Sequence, residues 1–167
     1  MKDSFSIRPM DESDLDLVLE WRNSPNIRLN MISSKIVSGS EHKLWFLNKT
    51  TDKSHRLMIV MKNQIEFGFV QIKINQPENI GEWGFYRDPM SPKGLGMNLA
   101  KLAINYTFFD LNLKELWGFV MDKNIRSIEF HKKNGFIISN DWCTFEDKKR
   151  HPNLLGFCLK RNQWIGN

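Results

Sequence analysis

Apolar and polar positions alternate at the start of the chain, with Phe5 and Ile7 between polar neighbours, which predicts a short strand that Pro9 stops. The period then changes. Leu15, Val18, Leu19 and Trp21 fall at helical spacing behind Asp11 or Ser13, either of which can cap the helix, and Ser24-Pro25 breaks it after Trp21-Arg22-Asn23. Residues 27–38 carry no sustained period and are expected as a loop or short irregular helix able to border a pocket. Ser40 begins a second helix with Leu44, Trp45 and Leu47 as its apolar side and His42 near its start. Leu57, Ile59 and Met61 alternate, then Ile65, Phe67 and Phe69, and Lys62-Asn63-Gln64 between them predicts a hairpin. Val70, Ile72 and Ile74 extend the second strand to a turn at Gln76-Pro77-Glu78-Asn79, and Ile80 to Tyr86 completes an antiparallel meander.

The stretch from Glu82 to Phe109 reads as a strand, a turn rich in Pro and Gly, and a long amphipathic helix whose first turn carries Lys93-Gly94-Leu95-Gly96. A glycine turn feeding a helix start leaves unpaired N–H groups and partial positive charge, which suits an anion, most often phosphate. A lone G-x-G is weak evidence by itself. Leu99 stands where a dinucleotide fingerprint needs its third glycine, and no G-K-[ST] follows for a P-loop. Leu95, Leu99, Leu102, Ala103, Tyr106 and Phe109 form the stripe that packs on a sheet, with Asn98, Lys101 and Asn105 opposite. Leu113 to Met121 is then a buried strand, reached from the Ile80–Tyr86 strand by a crossover. Asn124 caps a helix that runs to about Asn134, with Glu129/Lys133 as an i,i+4 pair and Gly135 as its stop. Phe136 to Ser139 and Leu154 to Lys160 are the last strands, joined by the charged run Glu146 to Arg150 as a solvated loop or hairpin tip.

Length and composition sharpen this pattern modestly. At 167 residues with 41% hydrophobic content, one compact domain over residues 1–167 is expected. The net charge of +5 suits a polyanionic ligand, yet Lys and Arg form no long block, so a nucleic-acid partner is not the reading. Cys143 and Cys158 lack metal-site spacing, which argues against a metal centre or a disulfide framework and is compatible with a reducing cytoplasm. No apolar h-region or membrane-length run is present, so a cytoplasmic protein without a membrane partner is expected.

The order β-α-α-β-β-β-α-β-α-β-β, with the anion turn after the fourth strand, resembles the GNAT superfamily of acetyl-CoA-dependent N-acetyltransferases over nearly the whole chain. That family's turn reads [QR]-x-x-G-x-[GA]; Ser91-Pro92-Lys93-Gly94-Leu95-Gly96 matches both small positions but places Ser91 at the basic or amide position, with Lys93 as a substitute. A second signature, N-x-x-[AS]-x-x-[LF]-Y-x-K-x-G-F, is met by Asn124 to Phe136 with His131 for the tyrosine. The resemblance implies an α/β (α+β) fold: a mixed, mostly antiparallel sheet of about seven strands, flanked by about four helices, with the fourth and fifth strands splayed. It implies acetyl-CoA as donor, without a metal. The cofactor would be held by Phe85, Tyr86, Arg87, Lys93, Gly94, Leu95, Gly96, Met97, Asn98, Asn124, Ser127, Phe130, His131 and Lys133.

A narrower similarity, carried by Trp21 to Arg28, Glu41-His42, Trp45-Phe46 and Glu82 to Tyr86 with Pro89, is to the nucleotide-sugar acetyltransferases of the pseudaminic acid pathway. These acetylate the 4-amino group of a UDP-linked 4-amino-4,6-dideoxy sugar used in flagellin glycosylation. The similarity implies direct transfer to a UDP-amino sugar, with Trp21, Arg22, Arg28, Met31 and His42 toward the acceptor. Arg22 or Arg28 would pair with a diphosphate; the plainer reading of either alone is a surface charge, and of Trp21 and Trp45 core anchors rather than uracil-stacking platforms. Acetyl transfer needs a neutral amine, a polarised carbonyl and a proton for the leaving thiolate. Glu82 is the candidate base, acting through water, or else a carboxylate of the sheet surface. His131 is the candidate acid, as an imidazolium with a pKa near the working pH, or else a locally bonded helix residue. Tyr86 is its rival, or else a core tyrosine. Transfer to protein N-termini or another small amine, and a non-catalytic CoA-binding module, remain open, as does a monomer or homodimer.

Overall fold

The computed structural model describes residues 3–139, 141 and 153–166. The meander forms as its alternation predicts. Strands β1 (Phe5–Pro9), β2 (His55–Lys62), β3 (Ile65–Asn75) and β4 (Ile80–Arg87) pair antiparallel in sequence order. At the β2–β3 turn Asn63 and Gln64 both take positive φ, 52° and 66°, the conformation of the two-residue turn that suits the twist of a hairpin. Beyond β4 the chain crosses over and β5 (Glu115–Met121) lies parallel to it. β7 (Leu154–Lys160) then pairs antiparallel with β5, and the two-residue β6 (Ile137–Ile138) with β7. The sheet of seven described strands runs β1-β2-β3-β4-β5-β7-β6, mostly antiparallel with one parallel pair. The charged run at 146–150 lies outside the described residues.

Helices cover both faces. On one face α1 (Leu15–Asn23) and α3 (Gly39–Thr51) bury Val18, Trp21 and Phe46 against Leu57, Ile59 and Phe69. The entry to α1 is a 3-10 turn, Glu12–Asp14, capped by the Asp11 side chain on the Ser13 N–H. Ser38 caps α3 and Glu41 returns the bond to the Ser38 N–H, a capping box that satisfies two otherwise unpaired donors. Between these helices lies the one-turn α2 (Pro25–Arg28), which starts on its proline and brings the described α-helices to five where about four were expected. Two apolar faces differ from expectation. In α3 the buried residues are His42 and Phe46, while Leu44 and Leu47 are exposed. A histidine stacked on Trp45 occupies the inward position, and the helix turns to place it there.

On the other face α4 (Leu95–Asn105) and α5 (Ile125–Lys133) cover Val70, Ile72, Trp83, Leu116 and Phe157. α4 continues into a wide turn, Tyr106–Asp110, closed by the Leu111 N–H on the Tyr106 carbonyl. Phe108 follows the buried Ala100 and Ile104 at i,i+4 steps and is fully buried, whereas Phe109, the expected end of the stripe, is 59% exposed. On α5 the ion pair formed is Glu129 with Lys132, 3.2 Å at i,i+3, rather than with Lys133. The shifted stripe has a direct test in thermal or urea unfolding. Phe108→Ala loses about 3–5 kcal/mol as a large core truncation, whereas Phe109→Ala stays within about 1 kcal/mol as a surface change.

Candidate active site

The parallel ladder between β4 and β5 is short. It joins Ile80–Glu115, Gly81–Leu116, Glu82–Trp117 and Trp83–Gly118, and stops. From Gly84 to Arg87 the strand keeps its β3 partners Gln71, Val70, Phe69 and Gly68, while Phe119 to Met121 pair with β7. The two strands therefore diverge as a fork, and each turns a row of ladder N–H and C=O groups into the gap. Backbone groups in such a place need partners, and an extended chain carrying amides of its own, such as a pantetheine arm, supplies them along β4. The splay expected of the fourth and fifth strands is thus present.

The Pro- and Gly-rich turn sits above this fork at the start of α4. Gly94 is its N-cap, with φ 97°, an angle that disfavours any side chain although a Cβ there would meet nothing. Leu95 is buried beneath the turn, so it offers its N–H rather than its side chain, and Gly96 lies against the Phe130 ring. Ser91 faces inward: its N–H and hydroxyl both donate to the Asp88 carbonyl, at 3.1 and 2.7 Å. The cationic role lost at Ser91 has other bearers. Arg87 donates to the Pro92 carbonyl at 2.5 Å and holds the turn; burial first, then the nearby Arg126 charge, lowers its pKa. Lys93 is exposed on the turn itself. Asn124 caps α5 by accepting from the Ser127 N–H, and the Ser127 carbonyl bonds the His131 ring. Met97, Asn98 and Lys133 line a cleft of about 410 Å³ together with Lys101, Asn134 and Trp164. These features fit a phosphorylated, amide-bearing cofactor, with cations and free helix N–H groups at one end and open strand edges at the other.

The residues expected to face the acceptor lie across the sheet. Trp21 is a core residue. Arg22 Nη2 donates to the Ser33 carbonyl at 2.9 Å and Arg28 Nη1 to the Ser34 carbonyl at 3.1 Å, so both arginines hold the loop after α2. Met31 lies on that loop, exposed with Leu29, Ile32 and Ile36. Arg22 Nη1 and His42 Nε2 are buried with no hydrogen-bond partner among the described residues. Burial lowers the His42 pKa; a bond to the Leu15 backbone opposes the shift and the Arg22 charge adds to it. The same Arg22 charge acts on Tyr86, whose phenol burial pushes up, so Arg22, His42 and Tyr86 share one neighbourhood. Tyr86 packs on Phe69 at 5.0 Å, on the face away from the glycine turn. Glu82 shares that face on the closed side of the fork, opposite Lys73 and Trp117, and lines a recess of about 240 Å³. Its Cα stands about 13 Å from that of Tyr86 at the ordinary rise of a strand.

His131 lies on the opposite face from Glu82 and Tyr86, so the three catalytic candidates do not form one cluster. It is 2% exposed. Its Nδ1 meets the Ser127 carbonyl at 2.8 Å and its Nε2 meets the Trp83 indole N–H at 3.2 Å. The expectation of an imidazolium with a pKa near the working pH is corrected: burial, opposed only by the Ser127 bond, drives the pKa down to about 4. The pair partner Trp83 escaped the sequence reading, as did Gly118, Arg126 and Lys101. A glycine inside an apolar strand marks a close approach, and a cation in the first turn of α5 works against the helix dipole unless an anion is near; those were the available signals. Lys101 carried none, since it belongs to the polar stripe of its helix.

A forked sheet with a glycine-capped helix start at its open end suits a protein that takes an extended, phosphorylated carrier between its strands. The chain belongs to the acetyltransferase (GNAT) domain family, whose model matches residues 5–137. It is accordingly an acetyl-CoA-dependent N-acetyltransferase. It is 27% identical to the acetyltransferase PseH of Campylobacter jejuni subsp. jejuni serotype O:23/36 (strain 81-176), over 92% of this chain and 90% of that protein. It is 25% identical to the spermidine N(1)-acetyltransferase of Escherichia coli (strain K12), over 97% and 89%. Among solved structures it is similar in fold to the spermidine N-acetyltransferase of Vibrio cholerae in complex with CoA and spermine (TM-score 0.81, 18% identity, 95% of this chain and 96% of that chain). It is also similar to PseH of Campylobacter jejuni in complex with acetyl coenzyme A (TM-score 0.71, 19% identity, 94% and 99%). Among the described residues no group of His, Cys, Asp and Glu could hold a metal ion, and no helix is long and apolar enough to cross a membrane.

Two outcomes are expected from this geometry. Gly94→Asp places a charge and a disfavoured backbone angle at the turn; calorimetry should show acetyl-CoA affinity reduced at least about a hundredfold, the loss of roughly two charge-assisted bonds. His131 is neutral when folded down to about pH 4, against an ordinary 6.5. Its contribution is therefore complete above pH 6.5 and is lost as pH falls toward 4, because the unfolded chain takes up the proton first. Urea unfolding across that window should lose about 3 kcal/mol from this group, and His131→Gln should remove that part of the slope.

Proposed function

We propose that the acceptor is an anionic, nucleotide-linked amino sugar, with the acetyl group passing from acetyl-CoA to the 4-amino group of a UDP-linked 4-amino-4,6-dideoxy sugar. One observation carries this reading. Arg22 presents a buried, unpartnered Nη1 beside the unpartnered His42 Nε2, next to Tyr86 on the face across from the glycine turn. A buried guanidinium N–H asks for an acceptor atom, and phosphate oxygens suit it. The same charge works against a polyamine. Two like charges about 4 Å apart repel by about 4 kcal/mol at the effective dielectric of such a site, so Arg22 favours an anionic acceptor over a cationic one. The sequence matches divide between PseH, 27% over 92% of this chain, and a spermidine acetyltransferase, 25% over 97%, so the charge at Arg22 carries the choice.

In this reading the donor arrives along β4 from the side of Gly94, and the acceptor amine enters the fork from the side of Arg22. Acetyl-CoA supplies an acetyl group activated as a thioester. Backbone N–H groups from Phe85 to Arg87 polarise its carbonyl, and Arg87, Lys93, Arg126 and the N–H groups of Leu95, Gly96 and Met97 hold the phosphates. Glu82 draws the proton from the amine through water along the acceptor face. Tyr86, protonated throughout the working range because burial raises its pKa, is the side chain left to return a proton to the thiolate. Acetyl-CoA consumption should be followed with UDP-4-amino sugars, spermidine and N-terminal peptides, with mass spectrometry of the products. The anionic sugar should exceed spermidine by about a hundredfold or more in kcat/KM, in line with a few kcal/mol of charge discrimination. Arg22→Gln should raise the sugar KM about tenfold and narrow that ratio. Preference for spermidine, or no response to Arg22→Gln, overturns the acceptor assignment and leaves acetyl-CoA use untouched.

A further inference from the structure

The fork needs something to hold it open. Each buried backbone group left unpaired costs about 1–3 kcal/mol, so two parallel strands that can continue their ladder should close. No register shift interrupts β4 against β3, so a bulge does not account for the divergence. The last paired residues are Trp83 and Gly118, and directly beneath them lies the His131 ring. A Cβ on Gly118 would fall 2.4 Å from His131 Nε2 and 2.7 Å from Trp83 Nε1, so the glycine is what lets the pair fit under the strand. The Trp83 ring is fixed in turn by stacking on Phe136 at 5.2 Å and 9°.

We propose that His131 is a positioning residue: a neutral imidazole that, by bridging the Trp83 indole N–H to the Ser127 carbonyl, wedges β4 and β5 apart at the mouth of the cofactor slot, and that it is not the proton donor of acetyl transfer. The proposal rests on the family assignment of the fork as the acetyl-CoA slot. Its chemical basis is the use of both ring nitrogens. Nδ1 has a carbonyl as its partner and so carries the hydrogen; Nε2 faces an indole N–H, which only donates, and so presents its lone pair. Protonating Nε2 would set two donors against each other and put a cation among aromatic rings, with no carboxylate among the described residues bonded to it. Among the described residues, the rings and the glycine that meet it from β4, β5, β7, α5 and the segment after it are Trp83, Phe85, Gly118, Phe157, Phe130 and Phe136, none of which titrates or carries charge.

The first test needs no turnover. Nitrogen-15 NMR of the intact, histidine-labelled protein should show His131 as the Nδ1–H tautomer with bare Nε2 from about pH 5.5 to about 8.5, a window in which an ordinary histidine changes protonation state; an imidazolium signal at neutral pH overturns the proposal. The second compares His131→Phe, Trp83→Phe, their double variant and His131→Gln. Removing either partner should raise the acetyl-CoA dissociation constant about tenfold, with the double variant no worse than the singles. His131→Gln, whose amide keeps one donor and one acceptor, should recover most of the binding and turnover lost in His131→Phe, with the pH profile of kcat unchanged in shape. A fall of about a hundredfold or more in kcat for His131→Gln, with a limb lost from that profile, would mark a general acid and overturn it, as would unchanged cofactor affinity in Trp83→Phe. Should no UDP-sugar react, the acceptor assignment fails while the tautomer and the cofactor affinities still decide the role of His131.

Discussion

Two strands that run side by side and then part place a demand on everything around them. β4 and β5 share four register pairs, and beyond Trp83 and Gly118 each holds only its outer neighbour. The outer pairings to β3 and β7 keep both strands straight, so the gap cannot be spread into the rest of the sheet. The inner edge of β4 from Gly84 to Arg87 then has no ladder partner on β5, the arrangement that suits an extended amide chain. The turn at Gly94 matters because α4 follows β4 directly and delivers its N-terminus to the open end of the same gap.

Charge is divided between the two faces in a way that follows from this plan. On the α4/α5 side, Arg87, Lys93 and Arg126 stand near two helix N-termini, with Lys101 and Lys133 along the cleft below. On the α1/α3 side, Arg22 and Arg28 hold the loop after α2, and one Arg22 nitrogen stays unpaired. The family turn usually draws its cation from the position of Ser91. Here that residue has become part of the turn's own hydrogen bonding, and Arg87 from β4 holds the turn with Arg126 of α5 nearby. The function is carried by position in space, and a local motif records only part of it.

That difference also explains which features the sequence disclosed. The hairpin at Asn63-Gln64, the meander, the glycine-capped α4 and the Asn124 cap of α5 are set by neighbours in the chain, and their signals are local. The inward face of α3 was misread because His42, counted as polar, fills the position that Leu44 or Leu47 was expected to take. Phe109 differs from expectation because the inward row runs through Ala100, Ile104 and Phe108, and the small Ala100 gave it little apolar weight in the sequence. The His131 bond to Trp83 spans 48 positions. Its consequence, a neutral ring where an imidazolium was expected, depends on the five aromatic rings around it, which only the packed core brings together.

Neutrality at His131 is consistent with the electrostatics above it. Cations gathered at a helix N-terminus repel one another and the dipole; burial lowers the Arg87 pKa first, and the Arg126 charge adds to it. An anion at the turn relieves the repulsion; an imidazolium beneath would add to it, and in a medium where water cannot screen the interaction. A tyrosine at this position, as the family signature has it, brings a phenol that is neutral at working pH. The histidine preserves that neutrality by burial and by committing both nitrogens to hydrogen bonds. The substitution therefore keeps the charge balance of the slot while giving up the free hydroxyl, and the proton for the departing thiolate must come from another group.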